Sequence, residues 1–440
     1  MKTPKKTIIF IISFSLIVAS CATIKDYSAI EEGLYSGNYE DASAQLEAEK
    51  KDLYSSQDAV LYALDSGMIF HYGSDWNQSN KLLSSAEKYM EEYSVKSITQ
   101  TFNSYVLNDT IQDYAGEDYE NVYTNLFMAL NYIHLEKYDD AMVEIRRFDN
   151  KLKVIALKYA EAIDKAKKEV SSKNFSTNSQ YQNTSLDFYN SALARYISML
   201  MYRYMGDIDN ARIDKKYIED AFSTQSQLYP FKKPSSLDSE LEPLPKDFGR
   251  LNFISNSGLA PEKQAETIRI LNEEDGSYFK FEIPEMIRRK SLITQVKIAI
   301  TDGAGDFVKT VNLEPIESIE TIAINAFKQK QFLIYLKSLL RSISKSTASS
   351  VIVNNTDDAN MASLIRIVSN IAIEVSEKAD LRTSHFFPAT VWVGGITLPY
   401  GTYSVTVTYY SANNPVQITN YKNVPVLQNR PNIVESTCVR

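Results

Sequence analysis

Proline is nearly missing from the first half of this 440-residue chain: after Pro4 none occurs until Pro230, and the other twelve lie between Pro230 and Pro431. An internal proline costs a helix about 3 kcal/mol. The gap therefore favours long helices up to Tyr229 and a different architecture beyond it. A basic excess is also missing, since the formal charge is -8. That sign gives no general attraction for nucleic acid or anionic headgroups, and no nucleic-acid partner is expected. Histidine is limited to His71, His134 and His385. Without paired histidines, a thiolate cluster or a Gly-x-Ser-x-Gly elbow, the chain shows no motif for zinc or acyl-transfer chemistry, and no metal or cofactor is expected.

The first twenty residues read as a signal peptide. Lys2, Lys5 and Lys6 precede an apolar run from Ile8 to Val18 that is broken by two serines and is about half the roughly 20 residues of a membrane span. Val18-Ala19-Ser20-Cys21 follows, and it resembles the lipobox of bacterial lipoproteins. The resemblance implies cleavage before Cys21 and acylation of that cysteine, which anchors the chain to a membrane. Removing three lysines from the 47 basic residues leaves 44 against 55 acidic ones, or -11. Cys438, the other cysteine, then has no intrachain partner. Ala22 in place of aspartate resembles the pattern that directs lipoproteins to the outer rather than the inner membrane.

The best-formed stretch is Leu126 to Leu152. Tyr123, Leu126, Phe127, Leu130 and Ile133 recur at helical spacing, as do Ala141, Ile145, Phe148, Leu152, Ile155 and Tyr159. Two antiparallel helices joined at Glu136-Lys137-Tyr138-Asp139 are expected, each with one apolar stripe. Similar turns lie at Gly37 to Ala42, Gly73 to Ser79 and Gly206 to Ala211. The glycines suit left-handed helix ends, Asp and Asn suit caps, and Ala or Ser lets helices approach. These features resemble the tetratricopeptide (TPR) repeat. The small residues at 42, 79, 141 and 211 step by 37, 62 and 70, where a regular array steps by about 34. The array is thus degenerate, with insertions after its second and third units.

The first insertion includes Asn108 to Glu120, a stretch rich in carboxylates, amides and tyrosines. It reads either as a ligand-contacting loop or as a solvated connection that caps helices, and its acidic spacing is not that of an EF-hand. Glu144 and Arg147 lie one turn apart and form an internal ion pair or present a guanidinium to a partner. Candidate partner-binding residues are Asn108, Asp109, Tyr114, Glu117, Asp118, Asn131, Glu144, Arg146 and Arg147. The second insertion, Ser171 to Ser185, is nearly all Ser, Asn, Thr and Gln.

Tyr229 to Pro245 holds four prolines and reads as a linker or strap. Alternation then predicts strands over Tyr278 to Ile283 and Leu292 to Thr301. Asp302-Gly303-Ala304-Gly305-Asp306 reads as a hairpin into Phe307 to Leu313; it lacks the Lys-Ser/Thr of a phosphate loop. Helical spacing returns over Ile319 to Ser344 and Met361 to Lys378. Short strands are expected at Val391 to Val393, Tyr403 to Tyr410, Val416 to Asn420 and Asn423 to Val426. The fold class is α+β: signal peptide 1–20, TPR-like helical domain 21–229, linker 230–250, and a mixed domain 251–440 ending in a small antiparallel sheet or sandwich.

The lipobox, Leu64 to Tyr72 with Asp75-Trp76, Asn108 to Glu120, Val143 to Arg147, Gly258 to Lys263, and Ala379-Asp380-Leu381-Arg382 with Phe387-Pro388 together resemble a family of uncharacterised bacterial lipoproteins with degenerate TPR-like repeats. That resemblance implies placement and fold but carries no activity. Two functions stay open. One is a lipid-anchored, non-catalytic envelope adaptor that binds a partner protein or peptide in a TPR-like groove. The other is an envelope enzyme acting on cell-wall glycan or peptide, for which the sequence supplies carboxylates but no defined site.

Overall fold

The computed structural model describes residues 25–101, 112–155, 158–172, 188–271, 278–354, 378–428 and 430–440. Residues 1–20, expected to be a signal peptide, Cys21, Asn108 and Asp109, most of Ser171 to Ser185, and all but the last residue of the helix expected over Met361 to Lys378 lie outside these residues.

The protein is α+β. Its N-terminal part runs α1 (Ser28–Ser36), α2 (Tyr39–Ala48), the single turn α3 (Lys50–Leu53), α4 (Ala59–Tyr72), α5 (Trp76–Thr101), α6 (Asp118–His134), α7 (Tyr138–Ile155), α8 (Ala160–Ser172), α9 (Ala192–Tyr204) and α10 (Ile208–Thr224). Four hairpins, α1–α2, α4–α5, α6–α7 and α9–α10, are built on one turn. In each, one residue is left-handed: Gly37 at φ 75°, Ser74 at 63°, Glu136 at 59° and Gly206 at 77°. The next N–H reaches back five residues: Asn38 to Gly33 O at 2.9 Å, Asp75 to Phe70 O at 3.0 Å, Lys137 to Tyr132 O at 2.8 Å, and Asp207 to Tyr202 O at 2.9 Å. This is the bond of a Schellman cap, and it satisfies a carbonyl that the helix end would otherwise strand.

Five residues after the left-handed one stands a small side chain, Ala42, Ser79, Ala141 or Ala211, and each is 0 % exposed. Approach is close there: a Cβ added to Gly33 would lie 3.0 Å from that of Ala42. The side chains of Asn38, Asp75 and Asp207 accept N–H bonds from Asp41, Gln78 and Asn210 and cap the second helix of three hairpins. One expectation is corrected. Gly73 keeps φ -76°, and the left-handed position falls one residue later, on Ser74. A left-handed L-residue costs about 1–2 kcal/mol. Ser74→Gly and Glu136→Gly should therefore each raise stability by about 0.5–1 kcal/mol in urea unfolding, after the added freedom of the unfolded chain is deducted.

The first central helix departs from the single stripe expected of it. α6 buries Tyr123, Leu126, Phe127, Leu130 and Ile133, and also Glu120, Thr124, Asn125 and Asn131. It is enclosed on all sides because α5, α7 and α11 (Ile319–Asn354) pack around it. α7 keeps one buried face, with Ala141, Ile145, Phe148 and Leu152 inward.

Beyond residue 247 the strands are β1 (Phe248–Ser257), β2 (Glu262–Leu271), β3 (Tyr278–Ile287), β4 (Gln295–Thr301), β5 (Phe307–Ser318), β6 (Thr390–Pro399), β7 (Gly401–Ser411), β8 (Asn414–Val426) and β9 (Asn432–Cys438). β2 and β3 form a separate ribbon; the other seven make one sheet in the order β8-β7-β4-β5-β6-β1-β9. Asp302 to Asp306 does turn β4 into β5, in antiparallel register. The sheet is larger than expected, and mixed, because β9 runs parallel to β1. The two short strands expected over 416–426 are one. Asn423 takes φ 58°, and the β7–β8 register shifts near it, so the interruption is a bulge rather than a turn.

The sheet has two apolar faces. Ile254, Ile316, Val391 and Val393 join the main cluster with the helices, while Phe253, Ile298, Val405, Val407 and Val434 form a second cluster on the other face, where Cys438 is buried with its thiol free. One carboxylate ties the helices to the sheet. Glu317, near the end of β5, accepts bonds from Tyr123 Oη at 2.5 Å, Ser191 Oγ at 2.6 Å, Leu193 N at 3.0 Å and Tyr229 Oη at 3.0 Å. It sits at the start of α9, where backbone N–H groups favour negative charge.

Candidate functional site

A segment with no secondary structure of its own, Asp380 to Pro388, runs through the helical array before β6. Two buried carboxylates hold its backbone. Glu120, in the first turn of α6, accepts Ser384 N at 2.6 Å and Thr383 Oγ1 at 3.0 Å on one oxygen. Its other oxygen accepts Tyr114 Oη at 2.7 Å and Glu117 N at 2.8 Å, the second closing a capping box. Asp65, on α4, accepts Ser384 Oγ at 2.7 Å, His385 N at 2.8 Å and Tyr54 Oη at 2.8 Å. Burial, and secondarily the charge of Glu117, pushes the Glu120 pKa up, and the bonds it accepts oppose that shift.

Aromatic contacts complete the grip. Tyr72 Oη donates to Phe386 O at 2.6 Å, Tyr27 stacks on His385 at 3.7 Å, and Phe387 lies 5.7 Å from Phe127 and 6.0 Å from Tyr119 between ring centres. Phe386 and Phe387 are both 0 % exposed. Arg382 ends the grip, donating to Asp380, to Asp58 at 3.3 Å and to Gln112 O at 3.0 Å.

Beside Arg382 a cavity of about 260 Å³ opens between the Gln112–Glu117 segment, the β2–β3 ribbon and α11. Lys158, Lys263, Lys330 and Lys337 converge on it with Arg382. Glu117 bridges two of them, accepting from Lys263 Nζ at 2.5 Å and Lys330 Nζ at 2.8 Å. Burial works to lower the Lys330 pKa, but the charge and hydrogen bond of Glu117, with Asp118 and Asp380 behind it, hold it well above the ordinary lysine value. Asp118 pairs with Lys158 at 2.6 Å. Three of the expected residues, Tyr114, Glu117 and Asp118, thus meet at this cavity or its wall.

The other four described candidates lie elsewhere. Glu144 and Arg147 join Glu87, Asn125 and Lys151 in a network along α5, α6 and α7: Arg147 is 2.9 Å from Glu87 and 3.5 Å from Glu144, and Asn125 Nδ2 donates to Glu144 at 2.6 Å. Arg146 points to the exposed side of α7. Asn131 is fully buried; its Nδ2 donates to Ser79 Oγ at 2.8 Å and Asn80 Oδ1 at 2.9 Å, so its Oδ1 must accept from His71 Nδ1, 2.7 Å away. With Nδ1 a donor and Nε2 2.9 Å from Glu435 Oε1, His71 is an imidazolium paired with a carboxylate. His134 Nε2 lies 2.8 Å from the other oxygen of Glu435.

Sequence reasoning missed Asp65, Lys263, Lys330 and Glu435. Asp65 had a legible signal, a lone carboxylate in the apolar run Val60 to Phe70; the others gain meaning only through distant partners. Among the described residues no group of three or more His, Cys, Asp or Glu is arranged to hold a metal, and no helix is long and apolar enough to cross a membrane. Compared with protein-family models, curated proteins and solved structures, the chain matches none.

Proposed function

We propose that the protein is a lipid-anchored, non-catalytic adaptor of the bacterial cell envelope, held by acyl chains on Cys21, whose TPR-like helical array docks a partner protein or peptide. The observation that carries this reading is the array's hold on Asp380 to Pro388. Carboxylates on backbone N–H groups, a tyrosine on a backbone carbonyl and aromatic rings around two phenylalanines are the contacts by which a groove takes an extended peptide. The four hairpins on one turn support the TPR-like description. The cavity beside Arg382 adjoins the gripped segment, and its cations are already paired, Lys158 with Asp118, Lys263 and Lys330 with Glu117 and Arg382 with Asp380, so an acidic partner segment would bind there by exchanging with those carboxylates.

Photocrosslinking in intact cells tests this. A photoreactive residue at Glu161 or Lys337, both on the cavity wall, is expected to give a discrete crosslinked protein, and the same residue at Arg212 is not. Equal crosslinking at all three positions, or none, counts against the site. Cys21→Ala is expected to move the protein from the membrane fraction to the soluble one.

A further inference from the structure

A cavity of about 490 Å³ opens at one end of the seven-stranded sheet, between the α9–α10 turn, the strap that precedes β1, the start of β1 and the β8–β9 turn. Its volume lies within the range of small-molecule sites, about 300–1,000 Å³. It shares no lining residue with the cavity beside Arg382, so it stands apart from the groove of the helical array. We infer that it is a binding site for a carboxylate carried on an apolar chain.

Two observations select that ligand. The first is an excess of positive charge. Four arginines line the cavity, Arg203, Arg212, Arg250 and Arg430, with one acid, the exposed Glu242. Arg212 and Arg430 pair with Asp209 and Glu136, each at 3.2 Å, in positions open enough for solvent to screen them. Arg203 and Arg250 are shielded, with side chains 17 % and 7 % exposed, and they share a single carboxylate. Glu240 Oε2 lies 2.6 Å from Arg203 Nη1, and its Oε1 lies 2.9 Å from Arg250 Nη2. Their other bonds go to neutral oxygens, of the Glu240 backbone and Asn252 for Arg203 and of Ser239 and Thr397 for Arg250. Among the described residues no second carboxylate pairs with either, and Arg203 Nε has no acceptor. Two guanidiniums on one carboxylate leave one positive charge to be met from the cavity, and a ligand carboxylate meets it without displacing Glu240.

The second is the wall. Leu244, Tyr400 and Leu427 line the cavity and are all exposed, and Phe248 stands half-buried among them. An inorganic anion would answer the charge and leave this apolar surface wet, whereas a neutral lipid would cover the surface and leave the charge unmet. A carboxylate on an apolar chain does both.

Two sources carry that chemistry, a fatty acid and the C-terminus of an apolar peptide, and calorimetric titration of the mature chain separates them. The probes are octanoate and the peptide acetyl-Ala-Ala-Leu with a free carboxylate. Their uncharged counterparts, octanol and the peptide amide, test the charge, and acetate tests the apolar wall. At least one carboxylate probe should bind saturably, and at least tenfold more tightly than its uncharged counterpart and than acetate; the tighter of the two names the source. Binding should weaken tenfold or more in Arg203→Gln, and in Leu244→Asp, an exposed position that keeps the test open if the first variant does not fold. Saturation by neither carboxylate, equal binding of an uncharged counterpart or of acetate, or unchanged binding in the folded variants overturns the inference.

Discussion

Glu120→Ala is expected to destabilise the protein by roughly 3–5 kcal/mol, the range found when one member of a buried charged network is removed. Glu120 accepts four hydrogen bonds, from Ser384 N, Thr383 Oγ1, Tyr114 Oη and Glu117 N, and is 0 % exposed. Each donor left buried without a partner costs about 1–3 kcal/mol, and the costs do not add fully because the segment can shift. Glu120→Gln separates the two sides of the carboxylate. Its amide oxygen can serve the pair from Thr383 and Ser384 or the pair from Tyr114 and Glu117, while its NH₂ group faces two donors on the other side. A loss of about 2 kcal/mol is expected there, and denaturant midpoints of the two variants against the wild type measure both.

Glu435→Gln should cost about 3–5 kcal/mol near pH 5.5 and should flatten the dependence of stability on pH. Burial opposes the charged form of His71, yet the charge of Glu435 and the bonds to Glu435 and Asn131 outweigh it and raise the pKa above its ordinary 6.5. Glu435 is likewise penalised by burial, but His71 and His134 hold its pKa well below the ordinary 4.5. The raised imidazole contributes fully below about pH 6.5 and loses its contribution as pH climbs through its folded value. The depressed carboxylate contributes fully above about pH 4.5 and loses its contribution only as pH falls through its folded value. The pair therefore stabilises most between about 4.5 and 6.5. Wild-type urea midpoints should fall from about pH 5.5 to about pH 9 more steeply than those of Glu435→Gln.

The helix hairpins were readable because their determinants are local. A left-handed position, a capping Asp or Asn and a small residue five positions on all lie within one turn, and the misplacement of Gly73 for Ser74 is a shift of a single residue. The positions of β4 to β8 were readable from alternation, but β9 (Asn432–Cys438) was not read as a strand, and the bulge at Asn423 was mistaken for a break because a left-handed residue looks alike in a turn and in a bulged strand. The candidate site was readable only in part. Tyr114, Glu117 and Asp118 stood out by composition, whereas their partners Lys263, Lys330 and Lys158 sit 40 or more positions away. Glu435 is separated from His71 by 364 positions and bears no local mark of its role. Asp380 to Pro388 was visible as a motif, but its burial depends on carboxylates from two helices that no spacing rule connects to it.

Amide hydrogen exchange at Ser384 and His385 tests most directly whether the helical array grips its own extended segment. Both N–H groups lie outside any helix or strand and donate to buried carboxylates, at 2.6 Å and 2.8 Å. Their protection is predicted to match that of the slowest amides of α4 and α6, which exchange only on global unfolding. Exchange at the rate of an exposed loop would contradict the account.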